Sequence, residues 1–321
     1  MKLLLAVDSS RTLNILLDEM AARSWPTGTE ARVLSIVEDA EVPLETWREE
    51  GYGPAAVRQE MRRRGEQITA LALDRLHAIG ISAEVTIMRG NPIVLIPFAA
   101  RKWSTDLILI RAHNHTDFRN WMLGSVAKSV VESAPCSVEV VRAIDERRSV
   151  DDKRNFRILL ATDGSDKSLA ATQMVAQTDA EVKVVSVVNP VIYSLEEIGL
   201  SRGKGTERAH RAIGEAVQAL KNVPLKVTGE VIAGSVARGI IDRAQNWRAD
   251  LIVLGAHDRR GLKRLFRPST SAAIANRAHC SVRVVRGRAV SQNDESSPRR
   301  ASRSPKIASS AYNSLGLRRA A

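Results

Sequence analysis

Cysteine is nearly absent: Cys136 and Cys280 are the only two in 321 residues. That is too few for the disulfide framework of a small secreted domain. The pair occupies one place in an internal repeat, so both read as buried core residues rather than a bridge. Aromatic residues make up 4% of the chain, and no aromatic-rich RNA motif or zinc-finger spacing occurs. No apolar run approaches the ~20 residues of a membrane helix. Lys2-Leu3-Leu4-Leu5-Ala6-Val7 is interrupted by Asp8, short of the ~7–15 apolar residues of a signal-peptide core. It reads as a buried strand, and the protein as cytoplasmic. No Gly-x-Ser-x-Gly elbow is found. Gly199, Gly203 and Lys204 miss the phosphate-loop spacing by one residue, and Gly205 stands where Ser or Thr is required. That segment reads as a flexible loop. His279 beside Cys280 lacks further ligands at zinc spacing, so no metal is expected. His113-Asn114-His115 spells a nuclease-like tripeptide, but its residues are not spread over a metal-binding unit.

What is present suits a soluble globular protein, with 44% hydrophobic and 26% charged residues. The length suggests about two domains at roughly 150 residues each. The net charge is +12. Such a surface attracts phosphates, nucleic acids and anionic membranes without selectivity. A generally basic surface is the simpler reading, with no specific nucleic acid and no membrane as partner.

The strongest signal is a repeat. Residues 134–142 (APCSVEVVR) match residues 278–286 (AHCSVRVVR), residues 106–109 match 250–253, and Gly90 matches Gly234, all at an offset of 144. Residues 6–10 match 161–165 at an offset of 155. The first copy therefore holds eleven extra residues, placed between its second strand and second helix, around 38–65. A two-fold repeat of this size is a domain duplication rather than a solenoid.

Each half alternates strand and helix. The first reads as strands at 2–7, 32–37, 83–88, 107–110 and 138–141. Helices follow from Ser9 or Ser10 to about Arg23, over 54–78, from Pro92 and over 121–131. The second half repeats the order over 157–285. Repeated βα units imply parallel sheets with right-handed crossovers and helices on both faces. Ligands of such sheets sit at the carboxyl ends of the strands, at the topological switch point. The domains read as 1–145 and 155–287, joined by a charged linker at 145–154. Residues 288–321 form a basic Ser/Pro/Arg tail that cannot bury enough apolar surface to order itself.

The segment 250–269 (DLIVLGAHDRRGLKRLFRPS), the turns VDSS at 7–10 and TDGS at 162–165, and the APCSVEVV ending together resemble the universal stress protein family. The resemblance covers nearly all of residues 1–287. It implies two tandem doubly wound α/β domains, each with five parallel strands ordered 3-2-1-4-5. ATP-binding members carry Gly, two residues, Gly, nine residues, then Gly-Ser or Gly-Thr. Glycines let main-chain amides approach phosphates, and the last pair opens a helix whose N-terminus favours negative charge. The resemblance thus implies an ATP or related adenine-nucleotide site. Its residues would be Asp8, Gly90, Asn114, Gly124 and Ser125 in the first half, and Asp163, Gly234, Gly255 and Ser269 in the second. Asp8 and Asp163 are similar to the family residue that contacts adenine.

Neither half keeps the whole pattern. Arg111 replaces the first glycine of the first half. Asp258 and Pro268 replace glycines of the second, and Pro268 removes one N–H donor. The second half is the poorer ATP site on these grounds. Arg259, Arg260, Lys263, Arg264 and Arg267 form a basic cluster that reads as a solvated loop or an anion-binding surface.

The function expected is that of a non-enzymatic stress-response protein, an adenine-nucleotide-binding sensor or regulator with degenerate phosphate loops. The alternative is a scaffold acting through protein partners without nucleotide. An ATPase is a third reading, with no carboxylate–metal or base constellation behind it. The two domains are expected to pair through their last strands, residues 138–141 against 282–285, and further homo-dimerisation stays open.

Overall fold

The computed structural model describes residues 1–37, 54–112, 123–143, 155–176, 180–191, 194, 204–256 and 270–286. The expected linker at 145–154 and tail at 288–321 lie outside them.

The first half runs β1 (Lys2–Val7), α1 (Ser10–Ala21), β2 (Glu30–Val37), α2 (Pro54–Ala78), β3 (Ser82–Arg89), α3 (Pro92–Lys102), β4 (Leu107–Arg111), α4 (Ser125–Ser133) and β5 (Ser137–Val141). Ser9 caps α1: its backbone is extended and its hydroxyl accepts the Thr12 N–H at 3.3 Å. Asn91 caps α3 through the Ile93 N–H at 2.9 Å, with Pro92 in the first turn.

The second half runs β6 (Arg157–Ala161), α5 (Asp166–Val175), β7 (Glu181–Val188), α6 (Lys204–Ala219), β8 (Lys226–Ala233), α7 (Val236–Asn246), β9 (Leu251–Gly255), α8 (Thr270–Arg277) and β10 (Ser281–Val285).

The strands form one ten-stranded sheet in the order β3-β2-β1-β4-β5-β10-β9-β6-β7-β8. Pairing within each half is parallel in the expected 3-2-1-4-5 order, whereas β5 and β10 run antiparallel. Asp106 and Asp250, already visible in the repeat, do matching jobs. Their carboxylates accept the N–H of Lys2 and of Arg157, each at 2.8 Å, pinning the first strand of each half beside the fourth.

Some details differ from the sequence reading. The last helix of the first half starts at Ser125; residues 121–122 lie outside the described set. The expected loop around 199–206 is helical from Lys204, where Arg, Ala and Glu supply helix propensity, and its earlier part is outside. The extra residues of the first half are also divided. Lys2 corresponds to Arg157 at 155, Glu30 to Glu181 at 151 and Ser82 to Lys226 at 144. Four therefore precede β2 and seven lie between β2 and β3. Much of the latter is helix, since α2 has 25 residues and α6 has 16. Both cysteines are free; Cys280 is buried and Cys136 only partly so.

Strand alternation sends successive side chains to opposite faces. One face carries a continuous core. Leu4, Ile108, Val138 and Val140 run on into Val282, Val284, Ile252 and Leu159, beneath α3, α4, α7 and α8. The other face carries two separate cores. Leu3, Leu5 and Leu109 pack against α1 and α2, and Ile158, Leu160 and Val253 against α5 and α6. Each such buried aliphatic side chain stabilises the fold by about 1.5–3 kcal/mol.

Between those two cores the seam is ionic. Val140 pairs with Val282, Glu139 with Arg283 and Val138 with Val284. The Glu139 carboxylate lies fully buried between the guanidinium groups of Arg283, at 2.6 Å, and Arg23. Glu19 is 3.8 Å from Arg23. Two symmetric arms flank this centre. The Arg142 N–H donates to Ser281 Oγ and the Arg286 N–H to Ser137 Oγ. The Arg142 side chain donates to the Ala275 carbonyl at 2.7 Å, and that of Arg286 to the Val131 carbonyl at 2.6 Å. Each arginine thus places its cation at the C-terminal end of the opposite half's last helix, where the helix dipole favours it.

Candidate functional site

A cleft opens in each half where the ends of the first and fourth strands diverge, the place expected for ligands of this sheet class. The first has a volume of about 250 Å³. Its floor is apolar, with Ala6, Leu34, Ile36, Ile96 and Ile110. Its polar groups are Asp8, after β1, Thr12, in the first turn of α1, Arg111, at the end of β4, and Ser125, opening α4. The second has about 210 Å³ and is lined by Asp163, Ser165, Ser168, Ser186, Gly255, Thr270 and Ser271 among others.

Of the expected residues, the first cleft brings together Asp8, Gly124 and Ser125, and the second Asp163 and Gly255. Asn114 and Ser269 lie outside the described residues, as do Asp258, Pro268 and the basic cluster at 259–267. Gly90 and Gly234 line neither cleft; they follow β3 and β8 with φ of 135° and 158°. That left-handed backbone explains the glycines without a ligand, because the chain turns there into α3 and α7.

The Asp8 carboxylate is exposed and accepts from the Ser9 hydroxyl at 2.8 Å. Arg111 stands beside it. Burial and then the neighbouring Arg11 charge hold its guanidinium below the ordinary arginine value, and Asp8 opposes them. Among the described residues, two arginines and one aspartate give this rim a net positive charge. The first-turn N–H groups of a helix have no intrahelical partner, and Gly124 offers those of α4 no side-chain cap. Ser125, Val126 and Ala127 of that turn line the cleft. A cationic side chain beside an uncapped helix start suits an anionic group, and the apolar floor suits a flat ring. The residues of the first half therefore fit an adenine nucleotide, even though Arg111 replaces a glycine. The sequence marks Arg111 as the replacement of a glycine; that Arg11 acts on it from α1 is visible only in the structure.

The second cleft fits less well. A Cβ built on Gly255 would lie 2.7 Å from the main chain of Lys167, so this glycine admits the first turn of α5. Asp163 is exposed and, like Asp8, bonded to its own loop, accepting from the Ser165 N–H at 3.1 Å and the Ser165 hydroxyl at 2.6 Å. Thr162 and Ser168 are likewise joined, at 3.1 Å. This polar set holds the β6–α5 turn together.

Among the described residues no cluster of three or more His, Cys, Asp or Glu side chains could hold a metal ion. No helix among them is long and apolar enough to cross a membrane.

A family model described as "Universal stress protein family" matches residues 1–142 and again 155–286. A universal stress protein of Methanocaldococcus jannaschii is 32% identical over 142 residues, covering 40% of this chain and 81% of its own. A universal stress protein of Mycobacterium tuberculosis is 26% identical over 189 residues, which is 56% of this chain and 62% of that one. The crystal structure of a universal stress protein from Archaeoglobus fulgidus superposes with a TM-score of 0.62 at 20% identity. It covers 88% of this chain and 95% of that one, a likeness of fold across both halves.

Proposed function

The chain belongs to the universal stress protein family, and on that premise we propose that it is a non-enzymatic regulator that binds an adenine nucleotide in the cleft of its first half. The observation that carries this is the convergence of Asp8, Arg111, Gly124 and Ser125 around one apolar-floored cleft. Asp8 would face the base, by resemblance to the family. Arg111, Arg11 and the uncapped start of α4 would hold the phosphate end. The volume of about 250 Å³ falls just below the range of small-molecule sites, roughly 300–1,000 Å³. It suits the nucleoside portion, with the phosphates at the rim.

A second reading, a scaffold acting through protein partners without nucleotide, is favoured by the replaced glycine at Arg111 and by the filled space above Gly255.

The test is nucleotide released on denaturation, followed by titration of ATP into the full chain and its Asp8→Ala and Arg111→Ala variants. Binding that weakens at least tenfold in both variants supports the proposal. Binding unchanged in both places any nucleotide elsewhere. No heat of binding at millimolar ATP favours the scaffold.

A further inference from the structure

The repeat offset of 144 carries Val138 onto Val282, Glu139 onto Arg283 and Val140 onto Val284. The strands pair Val138 with Val284, Glu139 with Arg283 and Val140 with Val282. Only the middle position is paired with its own counterpart. The pseudo-two-fold axis relating the halves therefore passes between Glu139 and Arg283, 0% and 3% exposed.

On an axis, a residue meets its equivalent. Two first halves joined along this edge would set Glu139 against Glu139, each keeping only Arg23 of its two arginines. Two second halves would set Arg283 against Arg283. Burial lowers the Arg283 guanidinium, and the charges that act on it, Glu139, Arg23 and Glu19, come from the first half. Met174, in the last turn of α5, stands where the repeat places Glu19, and it contacts Ser137 across the seam at 3.8 Å. A pair of second halves would thus bury two guanidinium groups with none of those acids. An uncompensated buried charge is strongly unfavourable, whereas an apolar pair of similar volume is tolerated. Partner choice of this kind rests on what is repelled as much as on what is attracted.

We infer that the Glu139–Arg283 pair selects the partner at this edge: the second half accepts a first half and rejects another copy of itself. The apolar face of the same strands, Val138 and Val140 against Val282 and Val284, supplies adhesion without choice. The charge on the axis supplies the choice.

The experiment uses the full chain with Cys136→Ala and Cys280→Ala, carrying Val282→Cys and Val284→Cys as reporters. In the pairing seen here these positions face Val140 and Val138, so no second thiol is opposite. In a pair of second halves, position 282 of one chain faces position 284 of the other. The reporter chain, with and without Glu139→Leu/Arg283→Leu, is refolded at up to about a millimolar, where pairing between chains competes with the tether. It is then oxidised and read as covalent dimer. The expected result is at least a tenfold excess of cross-linked dimer in the apolar background. Equal yields in the two backgrounds, none in both included, overturn the inference. Failure of Glu139→Leu/Arg283→Leu to fold assigns the pair to stability rather than to choice, and overturns it as well.

Discussion

Ser104 and Arg248 occupy the same place in the two halves and share a left-handed backbone, with φ of 56° and 54°. Each follows the tryptophan that ends its helix, Trp103 after α3 and Trp247 after α7. The next N–H of each returns to the helix, from Thr105 to the Ala100 carbonyl at 2.9 Å and from Ala249 to the Ala244 carbonyl at 2.8 Å. The closure requires a backbone that side chains disfavour by roughly 1–2 kcal/mol. Ser104→Gly is expected to raise stability by about 1 kcal/mol in urea denaturation. A loss of stability would mean that the serine side chain has a role beyond its backbone.

The arms of the seam lead to a second expectation. Arg286→Ala removes charge-assisted bonds to the Val131 and Glu132 carbonyls. It should cost about 1.5–3 kcal/mol. The double variant Arg142→Ala/Arg286→Ala should loosen the two halves from each other. Calorimetry is expected to replace one unfolding transition by two. A single unshifted transition would show that the strands alone couple the halves.

Glu19 makes the seam sensitive to pH. Burial pushes its carboxyl up to about 7; Arg23 opposes this and Glu139 adds to it. The folded chain therefore keeps a proton that the unfolded chain has released. The associated stability is full below the unfolded value of 4.5 and is lost as pH rises through about 7. At roughly 1.4 kcal/mol per pH unit the loss is about 3 kcal/mol. Glu139 works in the opposite sense. Burial alone would raise its carboxyl, but Arg23 and Arg283 hold it below the ordinary value, so its contribution is lost as pH falls. Glu19→Gln should flatten the decline between pH 5 and 7 and be the more stable protein at pH 8. Parallel stability curves for the two proteins would remove Glu19 as the cause.

Cys136 should be chemically quiet. Burial pushes its thiol up to about 12; Arg286 opposes this and Asp106 adds to it. Disulfide-exchange reagents attack the thiolate, so labelling of Cys136 in the folded protein at pH 8 should be on the order of a hundredfold slower than in urea. Arg286→Ala should slow it further. Rapid labelling of the native thiol would contradict this placement.

The fold was largely legible because its signals are local and repeated. Apolar runs such as Leu3–Leu4–Leu5 mark strands buried on both faces, and Asp106 and Asp250 recur because both pin the first strand. The repeated βα order places a switch point at the strand ends of each half, and a cleft lies at each. Other features needed the third dimension. Gly90, Gly234 and Gly255 look like ligand glycines in sequence, yet a left-handed turn explains the first two and the approach of Lys167 the third. Arg23 and Glu139 are 116 residues apart and become partners only when α1 meets the seam. One clue lay in plain view: the matching segments 134–142 and 278–286 are nearly identical around Glu139 and Arg283, where the charge reverses.

The tandem join also changes what evolution can do. In a dimer of identical subunits each substitution appears twice, and a residue on the axis is bound to confront itself. Here each half can change alone. Arg111 opposite Gly255 in the repeat, Glu19 opposite Met174 and Glu139 opposite Arg283 are three departures from symmetry that no homodimer could make singly. The joined sheet keeps the architecture of a symmetric pair while leaving its two members free to specialise.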